Sequence, residues 1–323
     1  TAKSPAISAL VPWDVKPWIA RALDRWRPAA LFLMETELWP QLILEATRRG
    51  VPVFSVSARI YPKDFGRYQA IRRFIGPVIG RITTIFAQNE IERARFIALG
   101  MPAERCIVSG NLKYLGVKSV ERRIELGIRP ADWVVVFGSI HADEIEFVLR
   151  AIERFRSEGI RVVIAPRHPV SAPPIVRRCL KAGWNVALRT ATHDRNEWNL
   201  LVLDTIGELA GAYAQARVAV VGGGFAKHGG HNPFEPLMAG VPVAIGTHFD
   251  HFEDEARQLG TATPPARVGD DMGELGNLLT RWMRDDAERA RVLAAQSKLI
   301  PDARVIGRSY VEGLSPWLRG LST

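Results

Sequence analysis

Val218-Ala219-Val220-Val221-Gly222-Gly223-Gly224-Phe225-Ala226-Lys227-His228-Gly229-Gly230-His231-Asn232-Pro233-Phe234-Glu235-Pro236 is the stretch on which the fold turns. Its first four residues are apolar and too few for a buried helix, so they read as a central strand of a parallel sheet. They run into a loop with five glycines in nine residues, which ends where a helix starts. Backbone amides in such a loop can approach an anionic or sugar ligand closely. The pattern G-x-G-x-x-G is not met, because Lys227 stands at the third glycine position, and this argues against an NAD-type site.

The same strand-to-helix alternation extends in both directions. Ala30-Met34, Val51-Val56, Ile82-Ala87, Trp133-Phe137, Arg161-Ala165, Leu200-Leu203 and Val241-Ile245 are further short apolar runs. Helical spacing of apolar residues marks Trp13-Trp26, Leu42-Arg49, Tyr68-Ile79, Glu90-Leu99, Asp143-Ser157, Ile175-Ala182 and Leu209-Gln215. Gly50-Val51-Pro52, Gly100-Met101-Pro102 and Gly240-Val241-Pro242 each close a helix with Gly and open the next strand near Pro. The class is therefore α/β, with parallel sheets. Strand signals lapse near Leu115-Pro130, which divides the chain into a first Rossmann-like unit, residues 1–118, and a second, residues 119–300. From Asp271 to Trp317 the pattern is helical only, and residues 301–323 are expected to form a helix that packs back on the first unit. Two such units place a ligand cleft at the carboxyl ends of their strands.

Composition supports two globular domains. A chain of 323 residues with 47% hydrophobic and 24% charged residues is neither disordered nor collagen-like. Two cysteines, Cys106 and Cys179, do not make a disulfide scaffold and suit a reducing compartment. No apolar run approaches the ~20 residues that span a bilayer. The net charge of +9 is lopsided: residues 1–115 carry 17 basic and 9 acidic side chains, and the remainder carry 26 and 25. Much of the excess lies in Arg59–Arg81, where six basic residues and one acid interleave with Tyr61, Phe65, Tyr68 and Phe74. That pattern favours an anionic membrane surface or a phosphorylated lipid over a plain solvated face, and both over nucleic acid, for which no other motif is present.

Several loops at strand ends carry polar residues fit for chemistry. Asn232, Pro233 and Glu235 fit N-cap, N1 and N3 of a helix, a capping box, but a carboxylate beside a glycine-rich loop also suits the two hydroxyls of a ribose. Pro166-Arg167-His168-Pro169 offers a guanidinium fork on a stiffened backbone, suited to phosphate or to a pyrimidine carbonyl, or simply a surface Arg. Asp204-Thr205-Ile206-Gly207-Glu208 is a third such loop, with helix capping as its plain alternative. In the first unit, Glu35 and Glu37 follow a strand, so that one acid caps the next helix while the other faces the cleft. Lys113, after the short strand Cys106-Ser109, can neutralise a departing phosphate or be solvated. The histidines and cysteines show no metal-ligand spacing, so neither a metal nor a cofactor is expected.

In order, the segments M-E-T-E-L-W-P (34–40), A-Q-N-E (87–90), G-N-L-K (110–113), P-R-H-P (166–169), D-T-I-G-E-L (204–209) and G-G-H-N-P-F-E-P (229–236) resemble the Kdo (3-deoxy-D-manno-octulosonic acid) transferases. The resemblance covers nearly the whole chain. It implies a GT-B fold and an inverting transfer of Kdo from CMP-Kdo to a lipid A precursor, in lipopolysaccharide core biosynthesis at the cytoplasmic face of the bacterial inner membrane. It also implies that Pro166, Arg167, Ile206, Gly207, Glu208, Asn232, Pro233, Phe234 and Glu235 contact CMP, and that Glu35 and Lys113 stabilise the transition state. The family's general-base Glu, in a Ser-x-Gly-Glu-type motif behind a membrane anchor, has no counterpart in this sequence, which opens Thr1-Ala2-Lys3 and offers about three strands before the boundary. The first unit is thus expected to be incomplete and the chain alone to have little or no transferase activity. A GT-B enzyme using a UDP-sugar, transferase or epimerase, is the alternative enzyme, and a non-catalytic nucleotide- or lipid-binding fragment the alternative outside catalysis.

Overall fold

The computed structural model of the chain describes residues 8–116, 124–129, 131–191, 198–261, 266–269 and 271–318. By contacts the chain divides into two units, Thr1–Val117 with Pro301–Thr323, and Lys118–Ile300.

In the first unit α1 (Lys16–Trp26), β1 (Leu31–Met34), α2 (Pro40–Arg48), β2 (Val53–Ala58), α3 (Pro62–Ala70), α4 (Arg72–Ile79), β3 (Thr84–Ala87), α5 (Glu90–Leu99) and β4 (Cys106–Val108) follow one another. Their strands form a parallel sheet in the order β1-β2-β3-β4. The inner strands β2 and β3 are buried along their whole length, as runs such as Val53-Phe54 and Ile85-Phe86 require of strands covered on both faces. β1 is an edge, with Leu33 buried and Phe32 and Met34 turned out. Local signals fix the helix ends: the Asn89 side chain accepts the Glu92 N–H at 2.8 Å to start α5, and Gly100, at φ +120°, ends it.

The second unit holds β5 (Val134–Ile140), α6 (Ile145–Ala151), β6 (Arg161–Pro166), α7 (Ala172–Lys181), β7 (Val186–Leu188), β8 (Leu200–Val202), α8 (Leu209–Tyr213), β9 (Val218–Val221), α9 (Phe234–Met238), β10 (Val243–Ile245), α10 (Glu253–Thr261), α11 (Met272–Arg284) and α12 (Asp286–Ser297). Its sheet is parallel, in the order β10-β9-β5-β6-β8-β7. From β5 the chain passes to β6, goes on to the edge strand β7 and returns to insert β8 between them, then crosses back to place β9 on the other side of β5. The β5/β9 boundary is therefore the topological switch point, where a doubly wound sheet opens a crevice at its carboxyl edge. The last helix, α13 (Ala303–Leu318), belongs to the first unit, where Tyr310 stacks on Phe86 with centroids 4.8 Å apart.

Some boundaries differ from the sequence reading for local reasons. Tyr68-Ile79 is not one helix but the end of α3 and all of α4, which part at Ile71. The turn lets α4 lie against the end of α5, where a side chain at Gly76 would meet the Leu99 carbonyl at 2.8 Å. Asp143-Ser157 is likewise α6 followed by a 3-10 turn, Glu153–Arg156. β7 escaped notice because it is three residues long and only half-buried at the sheet edge.

At the opposite edge, β10, Ile245 pairs by backbone with Ala266 and Val268, and the Val243 end is closed by a side chain. Buried Gln296, from α12, accepts the Val243 N–H and donates to the Val243 carbonyl, both at 2.9 Å, and so imitates a neighbouring strand. Gln296→Leu leaves both backbone groups buried without these partners, at about 1–3 kcal/mol each. We expect it to lower the unfolding free energy by about 2–6 kcal/mol in urea denaturation.

Candidate functional site

The crevice at the β5/β9 boundary is built around one acid. Glu144, fully buried ahead of α6, accepts the N–H groups of His141 (3.0 Å), Gly223 (2.9 Å), Phe225 (3.0 Å) and Ala226 (3.3 Å). The loop after β9 passes so close that a Cβ on Gly222 would lie 2.6 Å from the Ser139 carbonyl and 2.9 Å from the Glu144 carboxylate, and Gly223 sits at φ +79°. The glycines therefore serve this wrapping. Three loop amides that the sequence suggested for a ligand are committed to Glu144 instead, because a buried carboxylate is stable only when charge-assisted bonds replace its water.

Four imidazoles gather beside this anchor. The Nε2 atoms of His141 and His231 are 2.8 Å apart, within hydrogen-bond distance. His228 stacks on His141 at 3.8 Å and 8°, and its Nε2 lies 2.9 Å from Asp143. His168 lies edge-on to His141 at 6.3 Å. Burial, then the neighbouring His228, lowers the His141 pKa below its usual 6.5, with Glu144 and Asp143 opposing. Among the described residues no group of three His, Cys, Asp or Glu is arranged to hold a metal.

Arg167 leaves the end of β6, its N–H bonded to the Ile140 carbonyl at 2.9 Å and its side chain exposed. Its charge acts on Glu235, in the first turn of α9, whose carboxyl pKa is raised by burial against the opposing hydrogen bond of Asn232 and the charge of Arg167. The capping frame differs from the sequence reading. Pro233 is the cap residue and Asn232 accepts the Phe234 N–H at 3.0 Å, so Glu235 is the second helical residue and closes no capping box. Pro233 and Phe234 are buried beneath this turn.

The 204–208 loop divides its roles. Glu208 receives the Arg189 fork at 3.0 and 2.8 Å together with the Thr205 hydroxyl, and Asp204 accepts the Thr190 N–H at 3.0 Å. Both acids thus tie the loop to the segment after β7, while Ile206 stands 87% exposed beside Gly207 at φ +85°. Pro166 ends β6 within the same carboxyl edge.

In the first unit Glu35 follows β1 at φ +52°, and the Lys113 Nζ reaches its Oε1 at 2.5 Å. Neither acid near β1 caps α2. Asp14 does so, accepting the Gln41 and Leu42 N–H groups at 2.9 and 2.8 Å, while Glu37 takes the Trp39 indole N–H. Long-range capping of this kind leaves no mark in local sequence spacing.

Residues 1–115 match the model of a family described as 3-deoxy-D-manno-octulosonic-acid transferase (kdotransferase). The 3-deoxy-D-manno-octulosonic acid transferase of Haemophilus influenzae is 27% identical over 316 residues, covering 95% of this chain and 74% of its own length. The first 115 residues thus match the N-terminal domain of the Kdo transferases, and curated Kdo transferases align with most of the chain. The fold is of the GT-B type, with two Rossmann-like units. The C-terminal CMP-Kdo binding domain of WaaA from Acinetobacter baumannii is alike in fold over 54% of this chain and 91% of that domain, with a TM-score of 0.50 and 21% identity. The UDP-GlcNAc 2-epimerase of Methanocaldococcus jannaschii is alike over 87% of this chain and 78% of its own, with a TM-score of 0.54 and 14% identity. These two likenesses are of fold alone.

For this Kdo transferase relative, sequence reasoning passed over Glu144 and the convergence of four histidines, because both depend on which strands are neighbours in the sheet. The lowered His141 pKa sets a direction for stability. Below about pH 6.5 the unfolded chain binds a proton that the folded His141 resists, so stability falls as pH falls through that range. Urea unfolding at about pH 7.5 and about pH 5.5 should show a loss of at most about 1.4 kcal/mol per pH unit from this group, and a smaller loss in His141→Gln.

Proposed function

We propose that the chain carries a donor-binding unit and an acceptor-side unit of an inverting glycosyltransferase that moves Kdo from CMP-Kdo to a lipid A precursor. The observation that carries this reading is that Arg167, at the end of β6, and Glu235, in the first turn of α9 after the glycine loop of β9, both stand at the carboxyl edge of the second sheet, in a chain that resembles this family. In the reading, the exposed Arg167 fork binds the CMP phosphate, and Glu235, steadied by Asn232, accepts the ribose hydroxyls. Ile206 and Gly207 offer an exposed apolar tip to the base. Glu208, through Arg189, and buried Pro166, Pro233 and Phe234 hold the loops in shape.

Chemically, the bond between the anomeric carbon and the phosphate oxygen breaks, the electron pair leaves with CMP, and an acceptor hydroxyl bonds to the opposite face while losing its proton to a base. Negative charge grows on phosphate and positive character on the sugar. The Glu35–Lys113 pair supplies an ammonium for the former and a carboxylate for the latter.

The acceptor being a phosphorylated lipid, the basic surface of the first unit gains a purpose. Ile71, between α3 and α4, and Phe74, on α4, are 48% and 81% exposed, beside exposed Arg67, Arg72 and Arg73. Apolar tips among cations suit the anionic face of the inner membrane. Part of the aromatic–basic pattern is internal, for Arg59 stacks on Tyr61 at 3.9 Å. No helix among the described residues is long and apolar enough to cross a membrane.

Calorimetry tests the donor site. Arg167→Ala and Glu235→Ala should each weaken CMP binding about tenfold or more, the loss expected when a charge-assisted hydrogen bond of about 1.5–3 kcal/mol is removed. Unchanged CMP affinity in both variants would overturn the assignment, and tighter binding of UDP than of CMP would redirect it to a UDP-sugar enzyme.

A further inference from the structure

Lys113 is placed by its backbone. Its side chain is 67% exposed, so packing does little to hold it against Glu35. The backbone around it converges on one phenol of the C-terminal helix. Buried Tyr310 accepts the Ser57 N–H at 2.8 Å and donates its own proton to the Gly110 carbonyl at 3.0 Å. Ser57 is held at φ +50°, a left-handed conformation unusual outside glycine, with its carbonyl taken by the Gln88 amide at 2.8 Å and its hydroxyl accepting the Leu112 N–H at 3.0 Å. Beside them Ser309 donates to Ser109 at 2.9 Å, and Ile306 fills the space where Gly110 would carry a Cβ.

Both ends of the ion pair are one step from this network. The Glu35 N–H is bonded to the carbonyl of Val56, the neighbour of Ser57, and Leu112 is the neighbour of Lys113. We propose that Tyr310 is a positioning residue, whose phenol sets the Ser57 and Gly110–Leu112 backbone so that the Lys113 ammonium meets the Glu35 carboxylate. The role rests on the reading of that pair as working groups. Ring stacking on Phe86 alone would be served equally by Phe; the two hydrogen bonds require the hydroxyl.

Competitive acetylation of lysines, quantified by mass spectrometry on the full chain, tests this directly. Glu35→Gln gives the reactivity of Lys113 released from its partner, and Lys16 and Lys63 serve as internal references. Tyr310→Phe and Ser57→Ala should each raise Lys113 labelling about two- to fivefold, toward the Glu35→Gln level, as expected for loss of an exposed ion pair, with the references unchanged. General loosening would raise all lysines together. Lys113 labelling that stays at the wild-type level in a folded variant would overturn the proposal; should Tyr310→Phe fail to fold, Ser57→Ala decides. The donor site is tested separately, by the CMP affinity of the Arg167 and Glu235 variants, so a failure here and a failure of that site are told apart.

Discussion

Four backbone N–H groups in the second unit end on one carboxylate, that of Glu144. A charge taken fully out of water is tolerable only if its lone pairs are filled, and here the loop after β9 fills them. The loop must then bend tightly around an oxygen rather than reach into solvent, and that bend needs Gly222 and Gly223. With the loop wrapped, the chain is delivered to His231 and Asn232, and from there α9 starts with Glu235 in its first turn. The position of the candidate ribose ligand thus follows from an acid on another segment, far away in sequence.

The first unit solves the same problem with similar parts. β2 and β5 each break register with their neighbour near the end, β2 between Ser55 and Ala58 and β5 between Phe137 and Ile140. At each break a serine stands at positive φ, Ser57 at +50° and Ser139 at +57°. Such bulges cost about 1–3 kcal/mol of strain and re-aim the chain beside functional sites. After each, a buried glutamate catches the departing backbone: Glu92 accepts the Ile60 N–H at 2.7 Å, as Glu144 accepts that of His141 at 3.0 Å. Burial raises the Glu92 carboxyl pKa, while the Ile60 bond and nearby Arg95 and Arg59 pull it down.

This explains which features could be read in advance. Strands such as Val218-Val221 and Arg161-Ala165 were legible because a parallel strand covered on both faces must be apolar throughout, and the Gly-x-Pro turns mark where helices give way to strands. Edge strand β7 was not, since half-burial leaves no continuous apolar run. The resemblance marked Arg167 and Glu235, which follow β6 and β9, the two strands that flank β5 in the sheet. Glu144, Asp14 and Tyr310 were not legible. Each acts on a backbone group of a segment remote in sequence, a contact that no local spacing encodes.

The division of labour between the units also bears on their charge. The excess of basic over acidic residues in 1–115 is not drawn inward, for in that unit Arg49, Arg93, Arg95 and Arg105 bind acids or backbone carbonyls at the edges of the core, while Arg67, Arg72 and Arg73 remain outside. An enzyme whose donor is small and diffusible gains little from a charged donor unit, and residues 116–323 are nearly balanced. An acceptor fixed in an anionic surface is different: attraction over a Debye length of about 8 Å orients the whole unit before any specific contact forms. Under the proposed function, electrostatics selects the face that meets the lipid, and short-range geometry around Glu35, Lys113 and Tyr310 decides what happens there.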